Sequence, residues 1–259
     1  MTIAPDLTVS PDTDPYGRVA ALYDLLHIGP GSTALVDFFA GLAPEGGHAL
    51  EIGPGSGRMT LPVAARVASL HCLERSTAMR TVLLTKLVGQ PALRDRVTVL
   101  DAAVPDVRMD RQFDYIYLAA VLEHVPPQAR RQFFASLAER LAPGGVLATD
   151  MVHDEPLPDL PERLVREARQ GEGTYTLSTA VRPLSRDLAD VRHVYRSYYR
   201  DDLVGTTVVD RRHHVHRPAD VVADLRAVGL EAVGGSAVAG PEAPLADKGT
   251  LVAKHATRS

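Results

Sequence analysis

The chain has 259 residues, of which 45% are hydrophobic and 23% charged, and its formal net charge is −4 at pH 7. This composition is ordinary for a globular protein with a sizeable core, and it lacks the basic footprint of a nucleic-acid partner. No apolar run is long enough to cross a bilayer. The single cysteine, Cys72, excludes an internal disulfide and is typical of a reducing cytoplasm. We therefore expect a cytoplasmic protein without a nucleic-acid or membrane partner.

The N-terminal part of the chain divides into a polar segment and a helical segment. Residues 1–15 lack the basic and apolar regions of a signal peptide and are predicted to be a flexible N-terminus. Over 16–44 the apolar residues fall at helical spacing, and a Gly-Pro-Gly sequence at 29–31 interrupts them. This pattern predicts two helices, with Ser32 as the N-cap of the second.

Strands and helices then alternate over residues 45–151. The predicted strands lie at 48–53, 69–73, 97–100, 113–118 and 146–151. The predicted helices lie at 58–68, from Ser76 to about Val88, and at 127–141, with a loop at 104–112. Such alternation predicts βαβ units and a parallel sheet. The carboxyl ends of its strands meet at one edge, where open α/β sheets bind ligands.

After residue 151 the pattern changes to that of an insertion, residues 152–217. A short helix is predicted over 162–170, and antiparallel strands are predicted at 174–181, 191–199 and 205–216. The C-terminal residues, 218–259, are predicted to return to the main sheet. They contribute a helix that ends near Val228 and two strands, at 230–238 and 249–254.

The stretch that carries the chemistry is LEIGPGSGR, residues 50–58, an apolar strand followed by three glycines at alternate positions. Glycine permits positive φ and lets a ligand lie against the backbone. Gly53, Gly55 and Gly57 therefore predict a nucleotide-like ligand at the start of the next helix. An ordinary glycine turn between strand and helix is the alternative. Acidic residues follow the next two strands, at the same edge of the sheet.

These motifs, in this order, resemble those of the class I S-adenosylmethionine-dependent methyltransferases. The further matches are FDYIYLAAVLEHV, LAPGGVL, and a final strand pair around LEAVGG and GTLVAK, so the resemblance covers roughly 45–151 and 218–256. The family implies a Rossmann-like, seven-stranded, mostly parallel sheet with helices on both faces and an antiparallel last strand inserted between its neighbours. N-terminal lid helices and an antiparallel β insertion after strand five resemble small-molecule methyltransferases, in arrangement the aminosugar N-methyltransferases of bacterial secondary metabolism.

The resemblance implies that S-adenosylmethionine is the cofactor and S-adenosylhomocysteine its product. The three glycines lie against the methionine part, Glu51 faces the methionine amine, and Arg58 meets its carboxylate. Glu74 accepts both ribose hydroxyls. The residues expected at the adenine are Asp101, Ala102, Met79 and Leu118. Capping of the glycine turn is the alternative for Glu51, a surface position for Arg58, a solvated strand end for Glu74, and core packing for the two apolar side chains.

Methyl transfer is an in-line displacement, so the protein has to position the nucleophile and, for a poor one, remove its proton. His124 after strand four is the candidate base, with a packing histidine as the alternative. Tyr23 and Tyr16 resemble lid tyrosines that cover the sulfonium. The insertion residues expected at the acceptor are Tyr195, Tyr199 and His214. Two histidines on one strand face, at 214 and 216, have no third partner at metal-ligand spacing, so no metal is expected.

The predicted function is methyl transfer to nitrogen or oxygen of a small molecule, with association into a homodimer or higher homo-oligomer through the insertion. One alternative uses the same cofactor in a cyclisation or rearrangement without methylation. Another is a non-catalytic binding subunit. A nicotinamide or flavin dehydrogenase is disfavoured, because the third glycine of its fingerprint would fall at Arg58.

Overall fold

The computed structural model describes residues 14–27, 33–104, 109, 111–153, 155–238 and 248–256. The predicted break between the N-terminal helices, the Ser32 cap, residues 1–13 and most of the predicted loop at 104–112 lie outside these residues. The helices are α1 Ala20–His27, α2 Thr33–Leu42, α3 Thr60–Ala64, α4 Thr77–Val88, α5 Pro91–Arg94, α6 Pro127–Ala138 and α7 Pro218–Ala227. A short 3₁₀ helix, Leu122–His124, precedes α6. Ser76 caps α4 as predicted, since its side chain accepts a hydrogen bond from the Met79 amide.

Two β-sheets contain the strands. These are β1 His48–Ile52, β2 Ser69–Leu73, β3 Val97–Leu100, β4 Phe113–Leu118, β5 Leu141–Val152, β6 Leu160–Gln170, β7 Gly173–Ser185, β8 Leu188–Tyr199, β9 Asp202–His214, β10 Leu230–Val238 and β11 Lys248–His255. The main sheet has the order β10-β11-β5-β4-β1-β2-β3, and β6 to β9 form a second, antiparallel sheet. β11 is antiparallel to both of its neighbours. The predicted fold class is therefore confirmed.

Helices cover both faces of the main sheet because the side chains of each strand alternate between two apolar clusters. On β4, Ile116 packs in one cluster with Phe134 of α6 and Leu225 of α7. Tyr117, the next residue, packs in the other cluster with Phe39 of α2. All five side chains are at most 1% exposed. With both faces covered, the carboxyl ends of the parallel strands remain as the edge at which a ligand can bind.

The insertion departs from the sequence-based prediction at its first element. The structure has the strand β6 where a helix is predicted over 162–170, so that prediction is wrong. β6 pairs with β7 from Leu160 to Gln170, and Gly171 in the connecting turn has φ +59°. The hydrogen bonds of this hairpin outweigh the helical spacing of the charged residues. Most of β6 is exposed at the edge of the sheet, where charged side chains are tolerated.

β5 begins earlier than predicted. The Pro-Gly-Gly sequence at 143–145 lies inside the strand, where the pairing with β4 shifts register between Leu141 and Val146. Gly144 takes φ +79°, a conformation that favours glycine. A Cβ on Gly145 would lie 2.9 Å from the carbonyl oxygen of Ala142. The predicted turn is thus a bulge in the strand.

A buried polar network joins the end of the insertion to the main domain. Arg130 of α6 donates through Nε and Nη2 to Asp224 of α7, at 2.8 and 2.7 Å. Its Nη1 lies 2.8 Å from Nδ1 of His216, whose Nε2 lies 2.8 Å from the carbonyl oxygen of Leu122. Arginine only donates and a carbonyl only accepts, so His216 accepts at Nδ1 and donates at Nε2. Burial and the Arg130 charge lower the pKa of His216 to about 4, which keeps the ring neutral at pH 7.

One substitution tests how much this network stabilises the fold. We expect Asp224→Asn to lower the free energy of unfolding by about 3 kcal/mol or more, because it leaves the Arg130 charge buried without a counter-charge. Asp220→Asn on the same helix is the control, since its ion pair with Arg217 is partly exposed and contributes ~1 kcal/mol or less. Urea unfolding followed by circular dichroism measures both variants, and equal losses would contradict the expectation.

Candidate functional site

A cavity of about 610 Å³ opens at the carboxyl edge of the main sheet. Its size is within the range of pockets that bind small molecules and cofactors. The main sheet contributes the residues at and after the ends of β1, β2, β3 and β4, together with the start of α4. The N-terminal segment with α1 and β9 of the insertion complete the wall. The predicted site residues in its wall are Glu51, Gly53, Gly55, Arg58, Glu74, Met79, Ala102, His124, Tyr16 and Tyr23.

Three residues predicted to contact the cofactor lie elsewhere. Gly57 takes φ +89°, and a Cβ there would lie 2.5 Å from Cδ1 of Leu83, so this glycine lets the turn pack on α4. Asp101 is largely exposed, and both of its oxygens accept hydrogen bonds from Arg80, at 2.7 and 2.8 Å. Leu118 is fully buried in the core. These three residues do not line the cavity.

The three insertion residues predicted to meet the acceptor also lie outside the cavity wall. Tyr195 is buried, and its hydroxyl lies 2.8 Å from Nε2 of His27, which ties β8 to α1. Tyr199 is 50% exposed and donates to Glu172 at 2.9 Å. The ring of His214 lies 6.4 Å from that of His216, on the side of the buried network. Their contacts with an acceptor stay predictions.

Glu51 is a buried carboxyl group in the cavity wall. Oγ1 of Thr60 donates to its Oε2 at 2.6 Å, and Sγ of Cys72 lies 3.7 Å from the same oxygen. Burial raises the pKa of Glu51 to about 7, although these hydrogen bonds act in the opposite direction. A buried carboxyl group that is so easily protonated favours a cationic partner, because a positive charge would stabilise its ionised form.

Glu74 is held by the backbone of two loops. Its Oε2 accepts from the Gly55 amide at 2.9 Å, and its Oε1 accepts from the Ser76 amide at 2.7 Å. Burial raises the pKa of this carboxyl group, and the two amide hydrogen bonds oppose that effect. A carboxylate has about four acceptor positions on its two oxygens. Glu74 can therefore accept two further hydrogen bonds from a ligand while the protein fixes its orientation.

The first two glycines of the motif serve different purposes. Gly55 has φ +56°, and a Cβ added to it would meet nothing within 4 Å, so the backbone here borders open space in the cavity wall. A ligand can consequently lie directly against it. Gly53 has φ +65°, and its Cβ would lie 2.6 Å from Cγ2 of Val121. The absence of a side chain at Gly53 therefore lets the segment after β4 pack against the turn as part of the cavity wall.

Asp14 is a cavity residue that the sequence analysis missed. Its Oδ2 accepts from Oγ of Ser76 at 2.8 Å and from the Ala78 amide at 3.3 Å, and its Oδ1 accepts from the Tyr16 amide at 2.9 Å. Asp14 therefore caps the N-terminus of α4 in addition to Ser76. No local sequence signal links Asp14 to a helix more than 60 residues further along the chain.

Another part of the wall is formed by the N-terminal segment with α1, by β9 and by the 3₁₀ helix. The rings of Tyr16 and Tyr23 pack edge to face, with centroids 6.0 Å apart. Arg211 of β9 lies over the Tyr16 ring, 4.1 Å from its centroid. No pattern in the sequence placed Arg211 at the site.

His124 ends the 3₁₀ helix and faces the cavity. Its ring packs edge to face on that of His213, with centroids 5.5 Å apart. Burial and, secondarily, the Arg211 charge lower the pKa of His124 to about 4. The imidazole is therefore neutral at pH 7, and one of its nitrogens can accept a proton or a hydrogen bond.

Two general properties bear on the kind of site. Among the residues that the structure describes, no three His, Cys, Asp or Glu side chains are grouped so that they could hold a metal ion. Within the same residues, no helix is long and apolar enough to span a membrane.

Comparison with known proteins identifies relatives of the chain. A family described as methyltransferase domain matches residues 50–147. The ribosomal RNA small subunit methyltransferase A of Deinococcus radiodurans is 32% identical over 207 residues, which are 73% of this chain. The chain spans only 64% of the length of that relative.

Solved structures of several bacterial methyltransferases have the same fold. The CcbJ methyltransferase of Streptomyces caelestis matches with a TM-score of 0.72 and 17% identity, over 92% of this chain and 96% of that one. CalS10 of Micromonospora echinaspora, an amino pentose methyltransferase of calicheamicin biosynthesis solved with bound S-adenosylmethionine, matches with a TM-score of 0.69 and 17% identity, over 87% and 90%. Residues 50–147 therefore match the methyltransferase domain family, and the chain as a whole has the fold of solved S-adenosylmethionine-dependent methyltransferases.

Proposed function

We propose that this protein transfers a methyl group from S-adenosylmethionine to a nitrogen or oxygen atom of a small molecule. The observation that carries the proposal is the cavity that Glu51, the open backbone at Gly55 and Glu74 line together with lid and insertion residues. The cofactor would supply a methyl group already activated on a sulfonium. The protein then has to bind, orient and shield the acceptor beside it.

One part of the cavity, which we call the cofactor half, is lined by Glu51, the glycine turn, Glu74, Met79 and Ala102. Its residues offer partners for the chemical groups of S-adenosylmethionine. Glu51, with a pKa of about 7, is placed to accept from the methionine ammonium group. The preset carboxylate of Glu74 is placed to accept from both ribose hydroxyls. Met79 and Ala102 lie further along the wall and offer apolar contacts for the adenine. Arg58 lines the same half and remains our candidate for the methionine carboxylate.

The other part of the cavity, which we call the acceptor half, is lined by Tyr16, Tyr23, His124 and Arg211. Its chemistry supports nitrogen as the methylated atom. His124 with a pKa of about 4 is a weak base, so it is poorly suited to deprotonate a hydroxyl group at pH 7. A neutral amine needs no such base before it attacks, and His124 can accept a hydrogen bond that orients its lone pair. Tyr16 and Tyr23 shield this position from water. We therefore favour an amine acceptor over an alcohol.

A small acceptor fits the site better than RNA, the substrate named for the Deinococcus relative. Residues of the insertion and of the N-terminal segment line the cavity, whose volume of about 610 Å³ suits a small molecule. The net charge of −4 gives no electrostatic attraction for a polyanion. The amino pentose substrate named for CalS10 supports a role in bacterial secondary metabolism.

The proposal also covers the oligomeric state of the protein and its cellular location. Apolar side chains on the two edge strands of the insertion sheet are about half exposed or more, which supports a homo-oligomer through this sheet. They are Leu164, Leu203, Val204 and Val208. Light scattering of the purified protein tests the association. The buried, free Cys72 supports a cytoplasmic location.

Calorimetry and product analysis test the proposed reaction. S-adenosylhomocysteine should bind at one site per chain. If it does not bind, the proposal is contradicted outright. Incubation with S-adenosylmethionine and a panel of small amines, alcohols and ribosomal RNA should give a methylated amine, detected by mass spectrometry. Consumption of the cofactor without a methylated product would instead support cyclisation or rearrangement.

Glu74→Gln tests the ribose contact. The new amide group must turn its NH₂ towards one of two backbone donors, Gly55 or Ser76, and it leaves only one oxygen for a ligand. We expect the affinity for S-adenosylhomocysteine to fall about tenfold to a hundredfold, measured by calorimetry. Asp95→Asn, at an exposed site, is the control and should bind as the wild type does. Equal affinity of both variants would refute the assignment.

Glu51 makes cofactor affinity depend on pH. The ionised carboxylate attracts the methionine ammonium group and the protonated form does not, so affinity should rise as pH rises through about 7. Between pH 6 and pH 8 we expect a gain of roughly tenfold, since each pH unit below the pKa removes most of the ionised form. Glu51→Gln keeps the shape but cannot ionise, so its affinity curve should be flatter. Parallel curves for the two proteins would argue against this contact.

His124→Ala separates acceptor chemistry from cofactor binding. We expect kcat to fall at least about tenfold while the affinity for S-adenosylhomocysteine stays unchanged, because the side chain contacts the acceptor half of the cavity only. His48→Ala, at the start of β1 and outside the cavity wall, is the control, and it should change kcat less than twofold or so. A larger effect at His48 than at His124 would contradict the role assigned to His124.

A further inference from the structure

Arg211 has donor groups in the cavity that no described residue satisfies. Its guanidinium lies 4.1 Å from the centroid of the Tyr16 ring. Its Nε and Nη2 atoms are buried, and no acceptor within the described residues forms a hydrogen bond with either. Leaving charged donors buried without an acceptor is costly, so this arrangement is expected where a ligand supplies the acceptor.

Arg211 differs from the other arginines that line the cavity. Arg212 lies 3.7 Å from Asp190, and Arg58 donates to the carbonyl oxygen of His27 at 3.4 Å. Arg75 is exposed directly after Glu74. The cavity carboxylates accept from nearby protein donors, and among the described residues none of them forms an ion pair with Arg211. Arg211 is therefore the cavity arginine whose buried donor atoms lack an acceptor within the described residues.

The two unmatched atoms define the shape of the missing partner. Nε and Nη2 lie on the same edge of the planar guanidinium and direct two parallel N–H groups outward. This fork matches two oxygens of one carboxylate or phosphate, and the paired contact adds geometric specificity to the charge attraction. A single neutral carbonyl would leave one of the two donors unsatisfied.

We propose that Arg211 binds an anionic group, a carboxylate or a phosphate, carried by the methyl acceptor. This inference rests on the proposed function and narrows its substrate to an amine that also bears an anion. Arg211 and His124 line the same cavity, and the His124 ring packs on that of His213, two residues after Arg211. We therefore expect the anion and the methylated nitrogen on neighbouring parts of one molecule. Tyr16, stacked under the guanidinium, holds the fork in place from the lid side.

The test follows the Arg211 Nε–H signal by nuclear magnetic resonance in protein that contains ¹⁵N-labelled arginine and is saturated with S-adenosylhomocysteine. Arg211→Lys assigns the signal by removing it. Inorganic phosphate and acetate are titrated separately, with acetamide as the uncharged control. We expect at least one anion, and not acetamide, to shift the signal in a saturable manner. Saturation by phosphate alone identifies a phosphorylated acceptor, and saturation by acetate identifies a carboxylate.

Variants decide whether the effect belongs to Arg211. Arg211→Gln should weaken binding of the same anion about tenfold or more, measured through the neighbouring signals, because it removes the charge and the fork. Arg211→Lys keeps the charge without the fork, so it should bind with intermediate affinity and shows that the position tolerates substitution. Arg212→Gln is the matched control on the same strand and should bind as the wild type does.

Three results would overturn the inference. The first is the absence of a saturable shift with either anion, and the second is equal anion affinity in Arg211→Gln and the wild type. The third is a tenfold loss of S-adenosylhomocysteine affinity in Arg211→Gln, which would assign the fork to the methionine carboxylate. Failure of the wild type to bind S-adenosylhomocysteine would instead contradict the proposed function. The anion titration then still tests Arg211 in the unloaded protein.

Discussion

The carboxylate of Glu74 is the interaction on which the rest of the site depends. Its two oxygens bind the Gly55 amide and the Ser76 amide, so one side chain at the end of β2 connects the glycine turn after β1 to the start of α4. Ser76 in turn donates to Asp14, which brings the N-terminal segment over the same helix end. Three distant parts of the chain thereby meet around one buried acid. Its orientation is set by the protein before any ligand arrives.

Buried charged groups of opposite sign lie in different parts of the cavity built on this arrangement. The acids Glu51 and Glu74 lie on the core side, and burial raises the pKa of both. A cation, Arg211, lies on the insertion side. A cofactor with a positive end and an acceptor with a negative group would each meet the complementary wall. The same division orients the two molecules relative to each other.

The sequence was informative where contacts are local and uninformative where they are distant. Alternating apolar patterns and the glycines predicted the parallel sheet and its binding edge, and the resemblance supplied the place of the last strand. The helix at 162–170 was wrong because pairing with β7 decides the conformation of that segment. Asp14 and Arg211 were missed because their partners, Ser76 and Tyr16, are far away in the chain.

The two ends of the insertion meet, and this has a consequence for how such proteins diversify. The amide of His153, just after β5, donates to the carbonyl oxygen of His216, just after β9, at 2.8 Å. A segment whose ends are bonded to each other can be lengthened, shortened or replaced without altering the path of the chain on either side. Descendants of such a gene could acquire new acceptors by exchanging this one module through recombination, while inheriting the cofactor half intact.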